Sequence, residues 1–184
     1  AVLQRARTLN AAGDTNSEAE RAGAGTREQA DDASLANRLL APLLYSDAKW
    51  RAPREQLAAG QGGAPVLWSK GISGDRPIIL VHIDDVAHLD RLSVMLDAQR
   101  QWRRQWFGVD VVLLNLAEKE ADALQNQLDQ CKTQQAKQIE SDADGAKAEL
   151  FVLKASDIDQ RLHSGLKAVA RVVLDAGDAA WLPK

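Results

Sequence analysis

The stretch Ile78-Ile79-Leu80-Val81-His82-Ile83 decides the fold. It is an almost unbroken aliphatic and β-branched run with no polar alternation. A strand of that kind is buried on both faces, as in a parallel sheet covered by helices. Three further runs have the same character: Val109 to Leu114, Leu150 to Leu153 and Arg171 to Leu174. Between them lie helical patterns. Leu89, Leu92, Leu96, Gln99, Trp102 or Arg103, and Trp106 recur near the 3.6 period, as do Ala121, Leu124, Leu128, Cys131, Gln135 and Ile139. Ile158, Leu162, Leu166 and Val169 form a third stripe.

Strand, helix and strand in repetition predict right-handed crossovers and a mainly parallel sheet. The expected fold is α/β, a small doubly wound domain of four or five strands with a helical N-terminal arm. Val66 to Trp68 is the candidate fifth, edge strand. Asp84 or Asp85 is the expected N-cap of the first crossover helix, Gly108 its left-handed terminator, and Ser156 the cap of the third.

Upstream of the strands the composition changes. Residues 1–30 are rich in Ala, Arg, Glu and Gly, and read as flexible or frayed helix. Residues 31–63 form the arm, a helix from about Asp31 to Leu44 with Ser34 as an alternative N-cap. A short helix over Arg54 to Ala59 follows Pro53, and Gly60-Gln61-Gly62-Gly63 is a loop. Residues 64–184 are the α/β domain. The chain starts without Met, which reads as a piece of a longer protein.

Composition excludes several function classes. The 184 residues are 45% hydrophobic and 27% charged, which is globular. The 23 basic residues are scattered among 26 acidic ones for a net charge of −3, so nucleic acid is not an expected partner. No apolar run is long enough to insert in a bilayer. Cys131, the single cysteine, falls on an apolar helix stripe and reads as an inert core thiol; neither a disulfide nor a metal site is expected.

The chemical candidates are few. Gly71-Ile72-Ser73-Gly74-Asp75 resembles a nucleophile elbow but has Asp75 in place of the last glycine and precedes a strand, so it reads as a structural turn. Asp142-Ala143-Asp144-Gly145 resembles the start of a calcium loop or a nucleotide-sugar D-x-D, yet Ser156 and Asp157 stand where a calcium loop's closing Glu would lie, and the stretch reads as a solvated loop. His82, Asp84, Asp85 and His88 gather near the carboxyl end of a strand, where open α/β sheets bind ligands, and form the candidate polar site. Against that stand the strand position of His82 and the capping role of the aspartates. Trp102 and Trp106 are the candidate carbohydrate-stacking residues, with core packing on one helix face as the competing reading. No nucleophile–base pair emerges, so no catalytic residue and no cofactor is expected.

A series of short motifs adds a resemblance. Leu35-Ala36-Asn37-Arg38-Leu39-Leu40, Leu44-Tyr45-Ser46-Asp47, Arg51-Ala52-Pro53 and Leu67-Trp68 come first. Gly71-Ile72-Ser73-Gly74-Asp75-Arg76-Pro77-Ile78 and Val109-Asp110-Val111-Val112-Leu113-Leu114-Asn115 follow. Their order and spacing resemble an internal segment of the bacterial cyclic β-1,2-glucan synthases. Ala64-Pro65-Val66 and the Gln-rich stretch from Gln125 to Gln138 depart from that pattern. The family consists of large inner-membrane proteins with a glycosyltransferase region and a C-terminal glucan-phosphorylase-like region of glycoside hydrolase family 94 type. The resemblance implies a parent that makes glucan from UDP-glucose, and a segment on the cytoplasmic side of the bacterial inner membrane. It implies a non-catalytic scaffold or docking role, with neighbouring domains of the same polypeptide as partners. The alternatives are a glucan-binding module that contacts β-1,2-glucan, and an independent small α/β enzyme.

Overall fold

The computed structural model describes residues 35–60, 63–141 and 144–182. The expectations for residues 1–30, for a Ser34 cap and for Asp142 and Ala143 lie outside these residues. Four strands form one sheet: β1 (Ile78–Ile83), β2 (Asp110–Asn115), β3 (Leu150–Lys154) and β4 (Val172–Asp175). Their order is β3-β2-β1-β4, and every pairing is parallel.

The helices are α1 (residues 35–44), α2 (Arg54–Ala59), α3 (Leu89–Arg104), α4 (Ala121–Ser141) and α5 (Gln160–Val169). The side-chain period of two splits each strand between two cores. Ile79, Val81 and Ile83 face Leu35, Leu39, Leu92, Met95, Trp102, Leu124 and Leu128, so α1, α3 and α4 cover one face. Ile78 and Leu80 face Leu67, Ile72, Leu162 and Leu166, so α5 and the segment before β1 cover the other. The chain steps from β1 to β3 with its helices on the first face. It then returns across the sheet to β4 with α5 on the second, as right-handed crossovers require.

Three local expectations are corrected. Ala64–Lys70, which contains the expected edge strand, is a 3-10 helix with proline in its first turn and Gly71 as a left-handed cap at φ 75. Proline lacks the N–H a strand ladder needs. α3 stops at Arg104, and Trp106, not Gly108, takes the left-handed conformation, at φ 60. Gly108 serves close approach instead: a Cβ there would collide with the Lys147 carbonyl oxygen and crowd Arg76. The cap of α5 is Asp159, which accepts from the Leu162 N–H at 2.7 Å, while Ser156 lies in a preceding 3-10 turn.

The arm is fastened to the sheet. The Trp50 carbonyl accepts from Val173 N–H at 2.7 Å, which occupies part of the open edge of β4. Arg171 donates to Ser46 Oγ at 2.7 Å, and Arg51 donates to the Ala168 carbonyl at 2.6 Å.

Candidate functional site at the carboxyl edge of the sheet

A sheet ordered 3-2-1-4 reverses direction between β1 and β4, and such folds place ligands at the carboxyl ends of the strands beside that reversal. The residues leaving β1 are Asp84, Asp85 and His88. Asp85 accepts from the Ala87 N–H at 2.9 Å and caps the 3-10 turn Val86–His88, which leads into α3. Asp84 Oδ1 lies 3.1 Å from His88 Nδ1, an exposed contact between residues four apart. The structure thus brings together Asp84 and His88 and commits Asp85 to capping.

His82 stands apart from them. It shares the α5-facing side of β1 with Ile78 and Leu80, and its ring packs edge-on against His163 of α5, with centroids 6.4 Å apart and planes at 76°. The Nε2 atoms of both rings are buried without a hydrogen-bond partner. Burial chiefly, then the charges of Lys167 and His163, push the His82 pKa down to about 4, against an opposing pull from Asp175. Burial and Lys167 lower His163 in the same direction. Both imidazoles are therefore neutral near pH 7. Among the described residues no three His, Cys, Asp or Glu side chains converge as metal ligands.

The crevice is bridged by the chain's own hydrogen bonds. Ala176 N–H donates to the His82 carbonyl at 2.8 Å, and the Arg91 guanidinium donates to the Ala176 carbonyl, so the loops after β1 and β4 are stitched together. Trp181 is buried in the first core and donates from Nε1 to the Asp175 carbonyl at 2.8 Å. Arg38 of α1 then reaches the carbonyls of Ala180, Trp181 and Leu182 at 3.0 to 3.3 Å. The neighbouring depression, about 420 Å³ between the loops after β1 and β2, is lined by Asp84, Asp85, Glu118, Glu120 and Lys119. That excess of carboxylates opposes a phosphate-bearing ligand.

The two candidate tryptophans part company. Trp102 is 1% exposed and donates from Nε1 to the Ala36 carbonyl at 3.1 Å, which ties α3 to α1. Trp106 is 72% exposed. Their spacing of four does not put them on one helix face, because α3 ends between them. Sequence reasoning missed Trp68, which is 63% exposed on the 3-10 helix. The signal was Pro65 between Gly63 and Gly71, which marks a short capped turn better than a strand.

It also missed a charged cluster at the opposite, amino edge. Arg76 Nε bonds Asp110 Oδ1 at 2.8 Å and its Nη2 bonds Glu149 at 2.9 Å, while Asp110 Oδ1 also accepts from Glu149 N–H at 3.0 Å. Asp110 is fully buried, and burial raises its pKa in spite of Arg76.

No known family profile matches the chain. It is similar to the cyclic beta-(1,2)-glucan synthase NdvB of Rhizobium meliloti (strain 1021), with 29% identity over 136 residues. The alignment covers 73% of this chain and 5% of NdvB, so the chain spans a small fraction of the relative it matches.

Proposed function

We propose that this chain is a non-catalytic domain of a cyclic β-1,2-glucan synthase, a scaffold on which neighbouring domains of the same polypeptide dock. The similarity to NdvB supports the parentage. The observation that supports the scaffold role is the stitched crevice: hydrogen bonds of Ala176, Arg91 and Trp181 tie together the loops beside which this topology ordinarily admits a ligand. The parent polymerises glucose from UDP-glucose at the cytoplasmic side of the bacterial inner membrane. This segment contributes no span of its own from its described helices, none of which is long and apolar enough to cross a membrane.

Leu44 and Tyr45, at the end of α1, are 49% and 75% exposed and supply an apolar contact for a neighbouring domain. Replacing both with serine in the full-length protein tests the docking role. The expected result is an unchanged thermal midpoint for this domain, faster proteolysis of the linkers beside it and several-fold lower glucan output. An unchanged cleavage pattern together with unchanged output contradicts it.

A second reading, a glucan-binding module, is favoured by the exposure of two indoles, Trp68 and Trp106, since an exposed indole face suits a sugar ring. The two readings share the parent and differ in what the surface holds.

A further inference from the structure

Trp68 is exposed but not loose. Its Nε1 donates to the Ser73 carbonyl at 3.1 Å, and its own carbonyl accepts from Gly71 N–H at 3.0 Å. Leu67 on one side and Ile72 on the other are fully buried in the α5-side core, which anchors the backbone that carries the indole. The ring's polar edge is thereby used up while its face stays open to solvent.

Around it the turn is shaped as a shallow depression. Trp68, Gly71, Ile72, Ser73 and Asp75 line a concavity of about 310 Å³, at the low end of small-molecule sites. Gly71 holds φ 75, and a Cβ there would meet nothing within 4 Å, so the space above the turn is open. The Asp75 backbone N–H bonds Ser73 Oγ at 3.3 Å, while the Asp75 carboxylate makes no hydrogen bond or ion pair among the described residues. A fixed aromatic face beside an uncommitted carboxylate matches a pyranose, which offers an apolar C–H face and a rim of hydroxyl donors. Little ordering remains to be done on binding, because the indole is already held.

We propose that this depression is a β-glucan subsite, with Trp68 as the stacking platform for one glucose ring and Asp75 as the acceptor for its hydroxyls. The choice of sugar rests on the reading that the parent makes β-1,2-glucan. The site would let the domain hold a stretch of glucan while docked among its neighbours.

The test is a titration of the whole chain with a linear β-1,2-linked gluco-oligosaccharide, followed through the indole N–H resonances, with a β-1,4-linked oligosaccharide in parallel. Trp68→Ala is expected to weaken binding at least about ten-fold, as removal of a central aromatic contact does. Asp75→Asn is expected to weaken it less, and Trp106→Ala to leave it unchanged. All three variants should keep the wild-type thermal midpoint, since the substituted side chains are exposed. No binding by the wild-type chain, or binding undiminished by Trp68→Ala, overturns the proposal, as does loss confined to Trp106→Ala. Tighter binding of the β-1,4 oligosaccharide overturns the choice of sugar. Product analysis of the full-length protein separates the two failures. A parent that makes no β-1,2-glucan sinks the underlying reading, whereas a parent that makes it around a chain blind to the oligosaccharide sinks this inference alone.

Discussion

The Gln135 side-chain amide on α4 donates to Gln99 Oε1 on α3 at 3.2 Å, and both residues are buried beneath their helices. Each amide is also tied to backbone. Gln99 donates to the carbonyls of Val109 and Glu149 at 2.9 and 3.0 Å, where the chain enters β2 and β3, and Gln135 donates to the Leu96 carbonyl at 3.2 Å. A buried polar pair is tolerated only when its partners are supplied, and here it fixes two helices and two strands in one register.

Gln99→Ala should therefore cost more than an exposed substitution. It strips two backbone carbonyls and Gln135 of a partner at once, and a loss of about 2–3 kcal/mol is expected. Gln135→Ala should cost about 1–2 kcal/mol, since it leaves Gln99 bonded to the strand entries. Urea unfolding of both variants checks the order.

The two candidate tryptophans should give opposite results. Trp102→Ala empties a core site and removes the bond to Ala36, with an expected cost of about 3–5 kcal/mol. Trp106→Ala, at an exposed position, should fall within about 0.5 kcal/mol of wild type. Comparable losses in thermal unfolding would refute the assignment of Trp102 alone to the α1–α3 joint.

Legibility in the sequence followed from where the signal was local. Ile78–Ile83 as a strand and the parallel order of all four strands were readable, because doubly buried strands leave unbroken apolar runs. Gln99 and Gln135 fell on the predicted stripes, yet nothing local indicated that they would meet. The end of α3 was misplaced because Gly108 is needed against Lys147, a contact from the segment that enters the neighbouring strand β3, some forty residues further along the chain. The His82 group was misassembled for a similar reason. The strand pleat turns His82 towards α5, whereas Asp84, Asp85 and His88 leave the strand on a capped turn.

Arg76→Ala should leave the Asp110 carboxylate buried without its cation. The expected loss is about 3 kcal/mol at pH 7, larger than that of Asp110→Asn, which removes the charge itself. The loss should shrink as the pH falls, since protonation of Asp110, whose pKa is already raised by burial, removes the uncompensated charge. Unfolding curves at pH 7 and pH 4.5 test both points.

The His82–His163 pair predicts acid sensitivity. The folded state holds His82 at about 4, below its ordinary 6.5, so the unfolded chain binds more protons as the pH falls through 6.5. Stability from this residue is full above pH 6.5, declines between about 6.5 and 4, and is lost below that window. His163 adds in the same direction. His82→Leu removes the titrating ring at a site without a hydrogen-bond partner and should flatten that part of the profile. A variant with the same slope as wild type would assign the acid sensitivity to other groups.

The decisive measurement is product formation from UDP-glucose, compared between the proposed full-length glucan synthase and the isolated 184-residue chain. The expected result is cyclic β-1,2-glucan from the full-length protein and no turnover by the chain. Turnover by the purified chain, abolished by His82→Ala or Asp84→Ala, would contradict the non-catalytic role, and a full-length protein that makes no β-1,2-glucan would contradict the parentage.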